Sequence, residues 1–255
     1  ANGVIIITTK QGKPQKTQVS YESYVGAQAL PLNRTPDLLN TAQLVDYLNI
    51  TTPSTHIDPV FGQHGSFRIP EYYVVSNNFR GGVDANDPRA DPSLYTISDY
   101  ANAYQIFKTS PGTDWFKAMS QTGLIQSHQL NASGGTEASI YSMGLNYFNQ
   151  EGTFKYTGFE RYTARLNSSF KATKFLTLGE NMQLSYSNRK GDNVVIGETS
   201  AWANAYRSTP FTPVYDINGG YGGSLIGGIS GVGYNPVGTL ERRKNWSNVN
   251  LRAFG

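Results

Sequence analysis

Site chemistry needs convergent groups, and few residues of this chain could supply them. The chain has three histidines: His56 and His64 lie in a Pro/Gly-rich stretch, and His128 near the start of a strand-like segment. No Ser nucleophile or ligand set is spaced to meet them, as acid–base, nucleophilic or metal chemistry would require. The sequence reads as a non-enzyme, with no catalytic residue, no metal and no cofactor expected. Zero cysteines exclude a thiolate nucleophile, a zinc-thiolate site and a disulfide framework. In "GGVDANDPRAD", Asp84, Asn86, Asp87 and Asp91 offer oxygen donors of the type calcium takes. The segment lacks the Gly and terminal Glu of an EF-hand loop, and a solvated turn is expected. "GGYGGSLIGGISGVGYNP" has no Lys-Ser/Thr and no strand-to-helix context, so it reads as a mobile loop and not as a phosphate loop.

The candidates that remain are binding groups. Arg161 and Arg165 share one face of an alternating segment and would contact a solute passing that face. Tyr72, Tyr73, Tyr95 and Trp115 are aromatic residues in an irregular region, where they would stack on sugar rings or pack the region itself.

Composition limits what could position such groups. The 255 residues are 38% hydrophobic and 15% charged, with 27 Gly, 17 Tyr and 12 Phe. A polar chain with so little charge favours β structure with long loops over a helical bundle. The formal net charge of +3 is small and dispersed, and no basic block tracks an aromatic platform, which excludes a nucleic-acid partner. No stretch reaches the roughly 20 apolar residues of a spanning helix. Membrane strands alternate and leave a weak hydropathy signal, so a barrel stays open.

Periodicity points to strands. Val4–Ile7 is a run without alternation, as in a strand buried on both faces. Residues 17–25 alternate, with Thr17, Val19, Tyr21, Ser23 and Val25 on one face. The pattern recurs from residue 124, through "QLNASG", "IYSMGLNYFNQEG", "RYTARLNSSFKA", "FLTLGENMQLSYSN" and "SNVNLRAFG". Each apolar set faces Asn, Ser, Thr, Gln and Gly, where a soluble sandwich would place Lys and Glu. Glu180 interrupts one apolar face. Between 27 and 123 the spacing predicts two helices, "NTAQLVDYLN" capped by Asn40 or Thr41 and "SDYANAYQIF" capped by Ser98. Connections alternate long (27–123), short (134–137), long (149–160), short (173–174) and long (188–245), as in an outer-membrane barrel. Tyr147, Phe148, Phe154, Tyr156, Phe159 and Tyr162 at one end, and Phe170 and Phe175 at the other, read as two interfacial girdles.

"ANGVIIITTKQGK" resembles the end of the plug domain of SusC/RagA-family TonB-dependent outer-membrane transporters. Residues 113–191, from "TDWFKAMSQTG" to "LSYSNRKG", are similar to that family's early barrel strands. The resemblance implies an all-β fold, a fragment of a roughly 22-stranded transmembrane antiparallel barrel. Residues 1–15 would be the C-terminal end of the plug, and 16–255 the first barrel strands with long extracellular loops at 27–123 and 188–245. It further implies active import of an oligosaccharide or peptide across the bacterial outer membrane. The implied partners are a SusD-like surface lipoprotein, the TonB–ExbB–ExbD energising complex and outer-membrane lipid, with Arg161 and Arg165 facing plug carboxylates or substrate. A passive porin and a secreted β-rich carbohydrate-binding module are the alternatives.

Overall fold

The computed structural model describes residues 12–97, 102–192, 197, 199–223 and 234–255. The expected plug strand at Val4–Ile7, the Ser98 cap and most of the glycine-rich loop lie outside the described residues.

Six strands form one antiparallel sheet: β1 (Gln15–Gln28), β7 (Gly123–Gly135), β8 (Ser139–Glu151), β9 (Gly158–Lys171), β10 (Thr177–Lys190) and β11 (Ser247–Phe254), adjacent in that order. Registers run unbroken from Ser139↔Phe170 to Glu151↔Gly158 and from Thr177↔Lys171 to Lys190↔Gly158, with one irregularity near Gln15 in β1. Every alternating segment read from the sequence is a strand of this sheet, and the chain is a segment of an all-β barrel wall. No helix among the described residues is long and apolar enough to cross a membrane.

Connections at one end are tight, 136–138 and 172–176, and those at the other end are 29–122, 152–157 and 191–246. The expected long loop at 149–160 is shorter than the sequence suggests, because β8 and β9 extend to Glu151 and from Gly158 and leave six residues to link them.

The two large connections fold. In the first, α1 (Thr41–Thr51) begins at Asn40, whose side chain accepts from Gln43 N while Gln43 Oε1 accepts from Asn40 N. The hairpin β2 (Ile57–Asp58) and β3 (Gly62–Gln63) follows, then the three-stranded sheet β5 (Arg80–Val83), β4 (Tyr72–Val75) and β6 (Gln105–Lys108). The second expected helix is overturned here, since Gln105–Phe107 lie in β6. Ile106 packs with Val74 and Val83 on one side of this sheet, and Phe107 with Tyr73 and Val75 on the other. Two apolar neighbours in sequence then suit a strand covered on both faces better than a helix with one.

Three short helices, α2 (Trp115–Met119), α3 (Ala201–Arg207) and α4 (Pro236–Arg242), bring the second large connection onto the first. Asp114, Ser200 and Asn235 cap them, each accepting a backbone N–H from the first turn. Trp115 is 1% exposed and its Nε1 donates to Thr209 O at 3.2 Å. Phe211 joins Tyr73 and Phe107, and Ser110 N donates to Phe211 O at 2.8 Å. Tyr95 Oη donates to Asp216 Oδ2 at 2.7 Å. Burial and the Asp216 carboxylate push this phenol up to about 12, so the bridge is intact below pH 10 and lost only as pH rises towards 12.

Truncation at the centre of this cap tests the arrangement. Trp115→Ala should cost about 3–5 kcal/mol of cap stability, read as faster tryptic cleavage within residues 199–246 of the folded parent. Unchanged cleavage would mean that the two connections are held together elsewhere.

Candidate functional site

The sheet has two faces of opposite character. On one, registered rows run across the strands: His128, Tyr147, Tyr162, Tyr186 and Leu251; then Leu130, Leu145, Ala164, Leu184 and Ala253; then Ala132, Met143, Leu166 and Met182. Among the described residues no further layer packs on these side chains: Leu145 is 55% exposed and Leu251 76%. A continuous apolar face of this extent, left open by the described residues, is the mark of a lipid or partner contact. The distance from the Tyr162 row to Phe170 is eight residues, about 26 Å along a strand, which at the roughly 35–45° tilt of barrel strands spans about 20 Å of the roughly 25 Å apolar band of an outer-membrane barrel.

An aromatic belt edges this band. Tyr21, His128, Tyr147, Tyr162 and Tyr186 neighbour one another with ring centroids 4.9–6.2 Å apart, and Tyr21 Oη lies 2.6 Å from His128 Nδ1. The belt differs from the one expected. Phe148 and Phe159 are one residue out of phase with Tyr147 and Tyr162, so a period of two turns them to the other face. Phe154 leaves the wall and packs on Trp202 at 5.6 Å. At the short-turn end, Phe170 and the 98%-exposed Phe175 lie where the second belt was expected. Glu180, opposite Ser168, falls between Leu178 and Met182, one level beyond the Leu166–Met182 row towards the short turn. It sits near the margin of the band, where a carboxylate costs less than at its centre.

The opposite face is polar and bounds a trough of about 740 Å³, lined by Gln129, Asn146, Thr163, Gln183 and Ser185 among others. Arg161 and Arg165 both line it, as alternation predicts. Arg165 Nε donates to Gln183 Oε1 at 3.0 Å, and the Arg161 guanidinium lies 5.7 Å from the Phe148 ring centroid. Arg189 and Arg252 line the same trough and were missed in the sequence. Extending the odd-numbered polar set of β10 past Ser187 would have found Arg189. Arg252 sits in a strand whose parity is unclear until its pairing with β10 is known.

The aromatic candidates lie apart from the trough. Tyr73 and Trp115 are buried in the cap core, at 0% and 1% exposure, and cannot stack on a sugar in this structure. Burial pushes the Tyr73 phenol upward, with the neighbouring Thr212 acting in the opposite sense. Tyr72 is half-buried against the cluster of Val74 and Ile106. The carboxylates of the suspected calcium segment are engaged locally. Asp84 pairs with Arg68 at 2.9 Å, Asp87 with Arg89 at 2.6 Å, and Asp91 accepts from Ser93 N. The Arg89 contact holds the Asp87 carboxyl down at about 2. Among the described residues no His, Asp and Glu side chains gather as a metal site.

The fold thus defines a segment of barrel wall with an apolar outer face, a polar inner trough and a folded cap. No family model matches the chain. It is 28% identical over 226 residues to "TonB-dependent receptor P26" of Formosa agariphila, covering 88% of this chain and 18% of that protein. It is 29% identical over 224 residues to "TonB-dependent receptor P39" of the same organism, covering 87% and 17%. The chain therefore spans less than a fifth of the length of the curated relatives it matches. Among solved structures it resembles the RagAB peptide importer in the "closed-closed" state, with a TM-score of 0.57 and 18% identity, over 90% of this chain and 24% of that one. The "open-open" state matches with a TM-score of 0.54. Relatives and fold together bear out the resemblance to a fragment of a SusC/RagA-type TonB-dependent receptor.

The two faces predict opposite responses to charge. In the folded parent, Leu166→Arg on the outer face should destabilise by about 2–4 kcal/mol, whereas Thr163→Arg on the trough should cost little. Denaturant unfolding in lipid vesicles measures both, and equal losses would contradict the assignment of the faces.

Proposed function

We propose that the chain forms part of the wall and surface cap of an outer-membrane transporter that imports a nutrient, an oligosaccharide or a peptide, by a TonB-dependent route. The two-faced sheet is the observation that carries this reading. Its outer face suits lipid, its inner face a wet lumen, and its relatives bear the name TonB-dependent receptor. A secreted carbohydrate-binding module would have to hydrate the row of Leu130, Leu145 and Leu184. A passive porin would share the wall, but its relatives would not carry the TonB-dependent name.

In this reading the chain ahead of β1 ends a plug that fills the lumen and leads from it into the first wall strand. The connections 27–123 and 188–245 face the cell exterior, and a SusD-like lipoprotein closes over them. TonB–ExbB–ExbD supplies the force that remodels the plug once substrate is held. Arg161 and Arg165, pointing into the trough, hold the substrate or pair with plug carboxylates. The folded cap supports a docking role for the loops, since a preorganised surface binds a partner at lower entropic cost than a disordered one.

The test is to purify the full-length parent from its native membrane and to measure nutrient uptake in cells with and without TonB. A lipoprotein should co-purify in fixed stoichiometry, and uptake should fall to background without TonB. A parent that purifies alone and conducts freely in planar bilayers, with uptake independent of TonB, would establish the porin instead.

A further inference from the structure

The trough carries more positive charge than passage of a neutral solute requires. Cross-strand register divides its inward face into four successive levels, and each holds one arginine. Arg189 is opposite Phe159, Arg161 opposite Ser187, Arg252 opposite Ser185, and Arg165 opposite Gln183. Levels two residues apart on a strand are about 6.7 Å apart along it. The four guanidinium groups therefore form a ladder about 20 Å long that steps among β9, β10 and β11. All four side chains are exposed, and among the described residues none is ion-paired with a carboxylate. Strands β7 to β11 present no acidic residue to this face; the nearest carboxylate by register is Glu22 on β1.

We infer that this ladder binds a linear acidic oligosaccharide, one bearing a carboxylate or sulfate on successive sugars. This deepens the transport reading and rests on it. Guanidinium groups stay charged at every physiological pH and hold planar oxyanions through two parallel N–H donors. Four of them on a water-lined wall repel one another and favour a polyanion that neutralises all four together. The remaining lining fits sugar. Amide and hydroxyl groups such as Asn146, Thr163 and Asn250 offer both donors and acceptors to ring hydroxyls, and Phe159 and Phe254 lie at the two ends of the ladder. An acidic peptide fits less well. Extended peptides gain affinity by pairing with an open strand edge, and this face offers side chains only, because β7 to β10 are paired on both sides.

The experiment titrates the purified full-length parent with three probes of equal length: a galacturonate hexamer, a neutral glucose hexamer and a glutamate hexapeptide. The galacturonate hexamer should bind best, weaken as salt rises, and lose about tenfold or more in affinity when Arg161, Arg165, Arg189 and Arg252 are all changed to Gln. The paired variant Arg161→Lys and Arg165→Lys, which keeps the charge and removes the fork, should lose less. The wild-type ranking needs no variant to fold, so it tests the proposal by itself. Preference for the glucose hexamer, or for the glutamate hexapeptide, overturns the assignment while leaving import intact. Unchanged galacturonate affinity in the four-Gln variant, with a lowered melting temperature, overturns it in favour of arginines that hold the plug. TonB-independent uptake overturns the underlying transport reading whichever probe binds.

Discussion

A strand that crosses hydrocarbon must pair every backbone N–H and C=O with its neighbours, because no water is there to take their place. That constraint governs this chain. It requires long strands in unbroken register, and β8, β9 and β10 run opposite one another for thirteen or fourteen residues without a slip. Unbroken pairing in turn fixes parity, since a slip of one residue would exchange lipid-facing Leu166 for trough-facing Arg165. Registered rows of Tyr and Leu on one side and a ladder of Arg on the other both follow from parity held across the sheet.

The same constraint removes the ordinary hydrophobic core from the wall and shifts it to the loops. The buried apolar side chains of the described residues lie between Val45 and Met119 and between Ala201 and Leu240. Phe211, Trp115 and the Tyr95–Asp216 bridge fasten one large connection to the other, so the cap folds around a buried core as soluble proteins do while the wall leaves its apolar face uncovered by the described residues. Next to this junction Arg243 pairs with the almost fully buried Asp192 at 2.8 Å, and Gly191 adopts φ +82° where a Cβ would strike Tyr156 O. These contacts set where β10 ends and the cap begins.

The wall was legible in the sequence because one rule, a period of two, is repeated in every strand. Tyr147, Leu166 and Arg165 could be assigned to faces without coordinates. The cap was far less legible. The helix after Asn40 announces itself through a reciprocal cap with Gln43, a local signal. Gln105–Phe107 misleads because its strand character comes from Tyr73 and Val74, some thirty residues earlier in the chain. Arg252 was missed for a related reason, because its face is fixed only by pairing with β10, whereas Arg189 was legible from the parity of its own strand.

The central claim is the division of the sheet into a lipid face and a water face, and spin-label accessibility along β9 tests it most directly. Residues 1–255 hold no cysteine, so with any cysteine elsewhere in the parent replaced, single labels can be placed in turn at positions 161 to 168 in lipid vesicles. Labels replacing Tyr162, Ala164, Leu166 and Ser168 should be relaxed by oxygen dissolved in the bilayer. Labels replacing Arg161, Thr163, Arg165 and Asn167 should respond instead to a water-soluble nickel chelate. A profile without that alternation, or with both sets open to the chelate, would contradict the account.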